Sequence, residues 1–309
     1  FNHIEEICMT EIKSSIIDGI ETFEAEINGE KIEWDDELTY NSHLQTERLL
    51  SAQIGVSGKP DETLFIIIHQ TMELWIKLCL HELGIVIECI KKDQLSKSFK
   101  TFDRIAAIQR HMIQSWEILA TLTPHDFLTF RGYLRKASGF QSHQYRELEF
   151  LLGNKNRDLA VVHRDNKPVY EQLMKVLNAP SLYDETLKLL SKKGFVVPSK
   201  AIDRDWSEPY QSSPEIEEVW RLIYEDTEKY WELYMLAERV TALEYYFQEW
   251  RFKHMKTVSR VIGYSKGTAG SSGVDYLVKA LNLSFFPELW SMRTKLSTTQ
   301  EENNSKCPL

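Results

Sequence analysis

Residues 247–273 read Phe-Gln-Glu-Trp-Arg-Phe-Lys-His-Met-Lys-Thr-Val-Ser-Arg-Val-Ile-Gly-Tyr-Ser-Lys-Gly-Thr-Ala-Gly-Ser-Ser-Gly. On a 3.6-residue period His254 shares a face with Phe247, Trp250, Val258 and Val261, which predicts a helix with an imidazole turned to the core. Two readings of that histidine stand side by side. One is a core histidine hydrogen-bonded to a neighbour; the other is an iron ligand on a rigid helix, since neutral imidazole commonly binds iron. The loop from Gly267 to Gly273 is equally open. Its glycines can serve a C-cap and turn, or its N–H groups and the hydroxyls of Thr268, Ser271 and Ser272 can receive a small anion. It lacks the Gly-Lys-Ser/Thr ending of a Walker loop.

Working outward, helical spacing recurs along the chain. Ile4, Ile7, Cys8, Ile12, Ile16 and Ile20 predict an amphipathic helix over 3–25, and 28–37 reads as a linker or hairpin. A short helix over 38–50 is broken by Ser57-Gly58-Lys59-Pro60, and Asp61 is a good N-cap for the long apolar helix 62–92. On that helix His69 follows Phe65 by one turn, among Ile68, Met72, Trp75, Ile76 and Cys79. Residues 95–122 form another helix. Thr123 as cap, Pro124 at the first position and Asp126 in the first turn then start a new one carrying Phe127, Phe130, Arg131 and Leu134. Arg131 lies in apolar company, where a half-buried guanidinium needs a carboxylate, most simply an internal Asp or Glu.

A turn leads into helix 142–152. The polar stretch 155–213, broken by Pro168, Pro180, Pro198 and Pro209 and followed by Pro214, reads as a helical insertion over the bundle and not as a second domain. Helices follow over 214–237, 239–264 and 274–283; 286–296 packs back, and 297–309 is expected to be a disordered tail. No stretch offers clean period-two alternation, so the fold class is all-α: an N-terminal segment 1–37, then one helical domain over 38–296.

Composition bounds the function. With 42% hydrophobic residues in 309 there is material for a large core, and a net charge of −9 without a basic block argues against nucleic acid and anionic membrane. No run approaches the length of a membrane span and no signal peptide is visible. Cys8, Cys79, Cys89 and Cys307 form neither a CxxC nor a CxxCH site. The expectation is a soluble cytoplasmic protein.

Four separated blocks, in order, carry a resemblance. They are Leu64-Phe65-Ile66-Ile67-Ile68-His69-Gln70; Thr121-Leu122-Thr123-Pro124 through Phe130-Arg131-Gly132-Tyr133-Leu134; Ser138-Gly139-Phe140-Gln141-Ser142; and Trp250-Arg251-Phe252-Lys253-His254-Met255 with Gly267-Thr268-Ala269-Gly270-Ser271-Ser272-Gly273. Together they resemble the tryptophan 2,3-dioxygenase family over 38–154 and 240–296. The resemblance implies a helical bundle enclosing haem b, with His254 as axial ligand of the iron and Ser138 on the cofactor side. It implies that L-tryptophan and O2 are the substrates and N-formylkynurenine the product. His69 would lie near the indole N–H, Phe65, Phe127, Leu134, Tyr40 and His43 would wall the indole slot, Arg131 would fork onto the α-carboxylate, and Thr268 would hold the amino-acid end. It also implies a homotetramer in which the Tyr40 region reaches a neighbouring subunit's site.

Two departures touch that pocket. His43 stands where the family usually has tyrosine, and Ala269 where the loop usually has glycine. They motivate a runner-up, a haem-dependent mono-oxygenase of tryptophan, an indole or another aromatic amino acid. A haem carrier without turnover is a third reading, against which Arg131 speaks.

Overall fold

The computed structural model describes residues 11–296. The expected helix over 3–10 and the tail 297–309 lie outside them. The chain divides after Ile54 into two compact units.

The first unit corrects the N-terminal helix. Residues 11–35 form an antiparallel three-stranded meander, β1 (Ile12–Ile17), β2 (Ile20–Ile27) and β3 (Glu30–Asp35), in the order β1-β2-β3. The turns are Asp18-Gly19 (φ 52° and 86°) and Asn28-Gly29 (φ 54° and 80°), the left-handed pairs that two-residue hairpin loops require. The isoleucine spacing misleads because a separation of four keeps residues on one face in a helix and in a strand alike. Two turn dipeptides and β-branched density decide for strands. Ile12, Phe23, Ala25, Ile32 and Trp34 share a face by the pairings Ile12↔Ala25, Ala25↔Ile32 and Phe23↔Trp34, the last stacked at 5.8 Å. Helices α1 (Tyr40–Leu44) and α2 (Thr46–Leu50) follow, broken at Gln45, whose φ is 53°.

The second unit is helical, as expected. Its frame is α3 (Pro60–Lys91), α4 (Leu95–Leu119) and α11 (Trp231–Ile262). Pro60 occupies the first turn of α3 and Lys59 caps it, so Asp61 lies inside the helix, where its charge suits the N-terminal dipole. By length and composition α3 could cross a membrane, yet Ile68, Met72, Ile76, Cys79, Leu83 and Ile90 pack into the core shared with α4 and α11. Gln109 of α4 donates to the carbonyl of Leu243 on α11 at 3.0 Å, and Arg104 of α4 reaches the buried Glu82 of α3 at 2.6 Å.

Between α4 and α11 the chain forms α5 (Pro124–Arg131), α6 (His143–Leu152), α7 (Lys167–Leu177), α8 (Leu182–Lys192), α9 (Ser199–Ile202) and α10 (Pro214–Glu225). Thr123 caps α5 as its sequence predicts, accepting from the N–H of Asp126 at 3.2 Å. Within 155–213, α8 runs through the core and not over it. Leu182, Tyr183, Leu187 and Leu190 are fully buried, a register hidden by the polar residues between them. The break expected at residue 238 falls at 226–230, where the Asp226 carboxylate accepts the N–H of Lys229. The result is a single helix of 32 residues carrying His254.

After α12 (Val274–Leu281), α13 (Pro287–Ser291) closes the bundle. Glu244 of α11, 0% exposed, accepts the N–H groups of Phe285 and Phe286, each at 3.0 Å. Glu288 accepts from Tyr183 (2.9 Å), Tyr210 (2.6 Å) and the N–H of Ser213 (2.8 Å). Glu244→Ala would strand two buried amides and is expected to cost about 2–4 kcal/mol in urea denaturation. An unchanged midpoint would show that the C-terminal segment is held by its aromatic packing alone.

Candidate active site

One cavity of about 290 Å³ opens between α3, α4, α5, α6, α11 and the 263–273 loop. His69 enters it from α3 and His254 from α11. The His254 ring stacks on Trp116 (4.6 Å, 12° between planes) and lies 5.5 Å from Trp250. Burial first, and the charge of His69 second, push its pKa down to about 4, so the imidazole is neutral at neutral pH. Among the described residues nothing hydrogen-bonds to it. The core-histidine reading required a partner, so this nitrogen lone pair is left free for a ligand.

His69 is complementary. Its Nδ1 lies 2.7 Å from the carbonyl oxygen of Phe65, which can only accept, so Nδ1 carries the proton. Burial holds this ring below its ordinary pKa too, leaving Nε2 as an acceptor. The Phe65 ring packs against His69 at 4.2 Å, with Phe127 and Phe130 behind it at 6.0 and 5.7 Å. The site therefore has an aromatic wall beside an acceptor nitrogen, and a second imidazole with a free lone pair.

Arg131 corrects an expectation. No carboxylate pairs with it among the described residues. One Nη donates to the carbonyl of Lys266 at 2.5 Å, and the guanidinium lies over Phe127 at 5.9 Å. Thr268 donates to the carbonyl of Ala137 at 2.7 Å, so the loop is tied at two points to the segment after α5. Arg131, Ser138 and Thr268 all line the cavity. Leu134 packs on the core cluster and is not among the lining residues. Tyr40 (75% exposed) and His43 stand on α1 of the first unit.

The loop explains its own departure. Left-handed φ values fall at Gly270 (87°) and Gly273 (67°), while Ala269 has none. A Cβ on Gly273 would lie 2.4 Å from the carbonyl oxygen of Ser265. Alanine is thus free at 269, and glycine is required at 273.

Sequence reading missed the polar floor of the cavity. Arg251 donates to Glu149 (2.5 Å), the Tyr145 hydroxyl (3.2 Å) and the carbonyl of Ala280 (3.0 Å), and Arg146 also pairs with Glu149. Arg146 and Glu149, three apart on α6, look like an ordinary surface pair; only burial sets them apart. Trp116 was missed for the same reason, since its contact with His254 joins α4 to α11.

No group of three His, Cys, Asp or Glu residues able to hold a metal ion occurs among the described residues. A metal on His254 must therefore bring most of its ligands with it. A neutral imidazole, apolar walls and a cationic floor fit a metal macrocycle such as haem.

Fold and site define an all-α protein with one aromatic cavity that receives two histidines, one of them with a free, neutral imidazole. The sequence profile described as tryptophan 2,3-dioxygenase matches residues 25–222 and 218–296. Proteins named tryptophan 2,3-dioxygenase are similar along most of the chain. That of Geobacillus thermodenitrificans is 47% identical over 274 residues, covering 89% of this chain and 98% of that protein. Those of Myxococcus xanthus (51%, covering 84% and 90%) and Erythrobacter litoralis (48%, covering 84% and 99%) agree. The chain belongs to the tryptophan 2,3-dioxygenase family.

Two outcomes are expected. Gly273→Ala should destabilise the protein by more than about 1 kcal/mol, whereas Ala269→Gly should cost only about 0.4–1 kcal/mol through the unfolded chain; thermal melts of both variants check this. The second concerns pH. His254 has a folded pKa of about 4 against an ordinary 6.5, so between these values the unfolded chain takes up a proton that the folded one refuses. Stability is retained above that window, falls as pH drops through it and levels off below. Without cofactor, urea unfolding at pH 7.5 and 5 should show this loss, and His254→Ala should make it smaller. An equal loss in the variant would contradict the buried neutral imidazole.

Proposed function

We propose that the protein opens the indole ring of L-tryptophan with O2, breaking the C2–C3 bond to give N-formylkynurenine, with haem b on His254. The observation that carries the reading is the pairing of a free, neutral imidazole with an acceptor histidine in one aromatic cavity that also holds an arginine without a carboxylate.

When bound, haem supplies the iron centre at which O2 is activated, and the chain binds and orients. His254 would hold the haem iron, and the Trp116 stack sets its ring plane. The indole lies against Phe65 and Phe127 with its N–H donated to His69 Nε2. That hydrogen bond holds the indole proton at a defined atom and fixes which ring edge is presented. Arg131, with one Nη committed to Lys266, offers its remaining donors to the α-carboxylate as a charge-assisted fork. Thr268 spends its proton on Ala137, so its oxygen is left to accept from the substrate ammonium. The same two ties hold the loop across the substrate and exclude water. Ser138 belongs to the cofactor side.

The enzyme is further read as a cytoplasmic homotetramer in which Tyr40 and His43 belong to the substrate pocket, on the strength of the family. Mono-oxygenation loses one of its two motives, because Ala269 is conformationally neutral.

The decisive experiment supplies L-tryptophan and isotopically labelled O2 to reduced, haem-loaded protein and weighs the product. Gain of two labelled oxygens is expected; gain of one would overturn the dioxygenase reading. Arg131→Ala should lower kcat/KM by about tenfold or more, mainly through KM, since a charged hydrogen bond contributes roughly 1.5–3 kcal/mol. An unchanged KM would move the carboxylate site elsewhere.

A further inference from the structure

The cavity is lined by three arginines, Arg131, Arg146 and Arg251, against two glutamates, Glu73 and Glu149. Arg146, Glu149 and Arg251 are each 3% exposed, and all three line the cavity. The two guanidinium groups share Glu149, while Glu73, the other carboxylate lining the cavity, accepts from Gln144 and forms no ion pair with either arginine among the described residues. Both oxygens of Glu149 are already used, one by each arginine. Arg251 is well supplied, with Glu149, Tyr145 and Ala280 as acceptors. Arg146 is not. Its Nε is buried without a hydrogen-bond partner, and its planar group is otherwise flanked by the rings of Phe140 (5.4 Å) and Tyr145 (5.7 Å). His163 offers no compensation, because burial, His143 and Arg146 together hold it toward its neutral form. A desolvated cation with an idle donor is costly unless an anion completes it.

Two further features favour an anion here. Ser142, the N-cap of the ten-residue helix α6, lines the cavity, so the positive end of that helix dipole adds to the arginine charge. Arg251 precedes His254 by three residues on α11, one turn away and on a neighbouring part of the same face. The charge is thus built into two helices joined by the Arg251–Glu149 pair and the Tyr145–Trp250 ring contact, beside the proposed iron ligand. Arg131, by contrast, is tied to the 263–273 loop. A group that stays bound suits a rigid, buried anchor, and a group that exchanges each turnover suits one beside a loop.

We infer that Arg146, supported by Glu149, Arg251 and the α6 N-terminus, is the anchor for a carboxylate side chain of the haem, and that the substrate carboxylate is left to Arg131. This rests on the reading of His254 as a haem ligand. Haem b carries its two carboxylates on one edge, so such an anchor would hold the macrocycle in one orientation.

The test compares full-length protein loaded with haem or with haem dimethyl ester, whose carboxylates are blocked. Loss of either cofactor to excess apomyoglobin is followed by the Soret band. Wild-type protein should lose the ester about tenfold faster than haem, and Arg146→Met should lose haem at about the ester's rate without further loss of the ester. Arg146→Lys, which keeps the charge, should recover much of the retention, and its melting temperature separates anchoring from misfolding. Equal retention of haem and ester by wild-type protein would overturn the assignment while leaving the haem reading intact, and this needs no variant. Unchanged haem loss in Arg146→Met with a weaker tryptophan-induced Soret shift would give the arginine to the substrate instead. Failure of wild-type protein to take up haem at all would undo both readings.

Discussion

His254 borders the cavity with aromatic rings beside it and no hydrogen-bond partner among the described residues. Trp116 stacks on the ring, Trp250 lies one turn before it, and burial first disfavours the imidazolium. The cost of charging a ring so placed is what keeps its lone pair available at neutral pH. The packing of α3, α4 and α11 serves this end. α11 carries the histidine, α4 supplies the tryptophan that fixes its plane, and α3 brings His69 across the cavity. His69 is tied to the carbonyl of Phe65, so its tautomer is set by its own helix. Two histidines in one cavity are thereby given different tasks by their surroundings.

The remaining charges divide in the same manner. Arg131 has a carbonyl and a ring for company and no counter-ion among the described residues. Arg146 and Arg251 share Glu149 in the rigid floor, where burial strengthens every polar contact and penalises every missing one. Low dielectric is the common cause. It makes the floor fit to hold a permanent group, while the less buried Arg131 can release its partner.

Holding this cavity open requires the helices to be braced from outside it. Glu244 and Glu288 do so by accepting hydrogen bonds from segments far away in the chain, the first from Phe285 and Phe286, the second from Tyr183, Tyr210 and Ser213. Among the described residues neither carboxylate forms an ion pair. α8 contributes from within, burying Leu182, Tyr183, Leu187 and Leu190 in the main core. The N-terminal meander belongs to the first compact unit, its register set by the two hairpin turns.

The long helices α3 and α4, the cap of α5 at Thr123 and the inward face of His254 were legible because they rest on local rules: a 3.6-residue period and a hydroxyl before a proline. Local rules also mislead where two of them agree on spacing. The isoleucines of β1 satisfy helix and strand alike, and only the Asp18-Gly19 and Asn28-Gly29 turns separate the cases. The resemblance to the family likewise rests on short contiguous blocks. What the amino-acid order alone determined was therefore the helical class, the family and the histidine-bearing helix. Tertiary structure alone decided that Arg131 has no internal carboxylate, that Arg146 and Glu149 are buried, that Trp116 stacks on His254 and that Ala269 is unstrained. Each of these depends on desolvation or on contact between residues distant in sequence, and neither quantity is written in the spacing of a single helix.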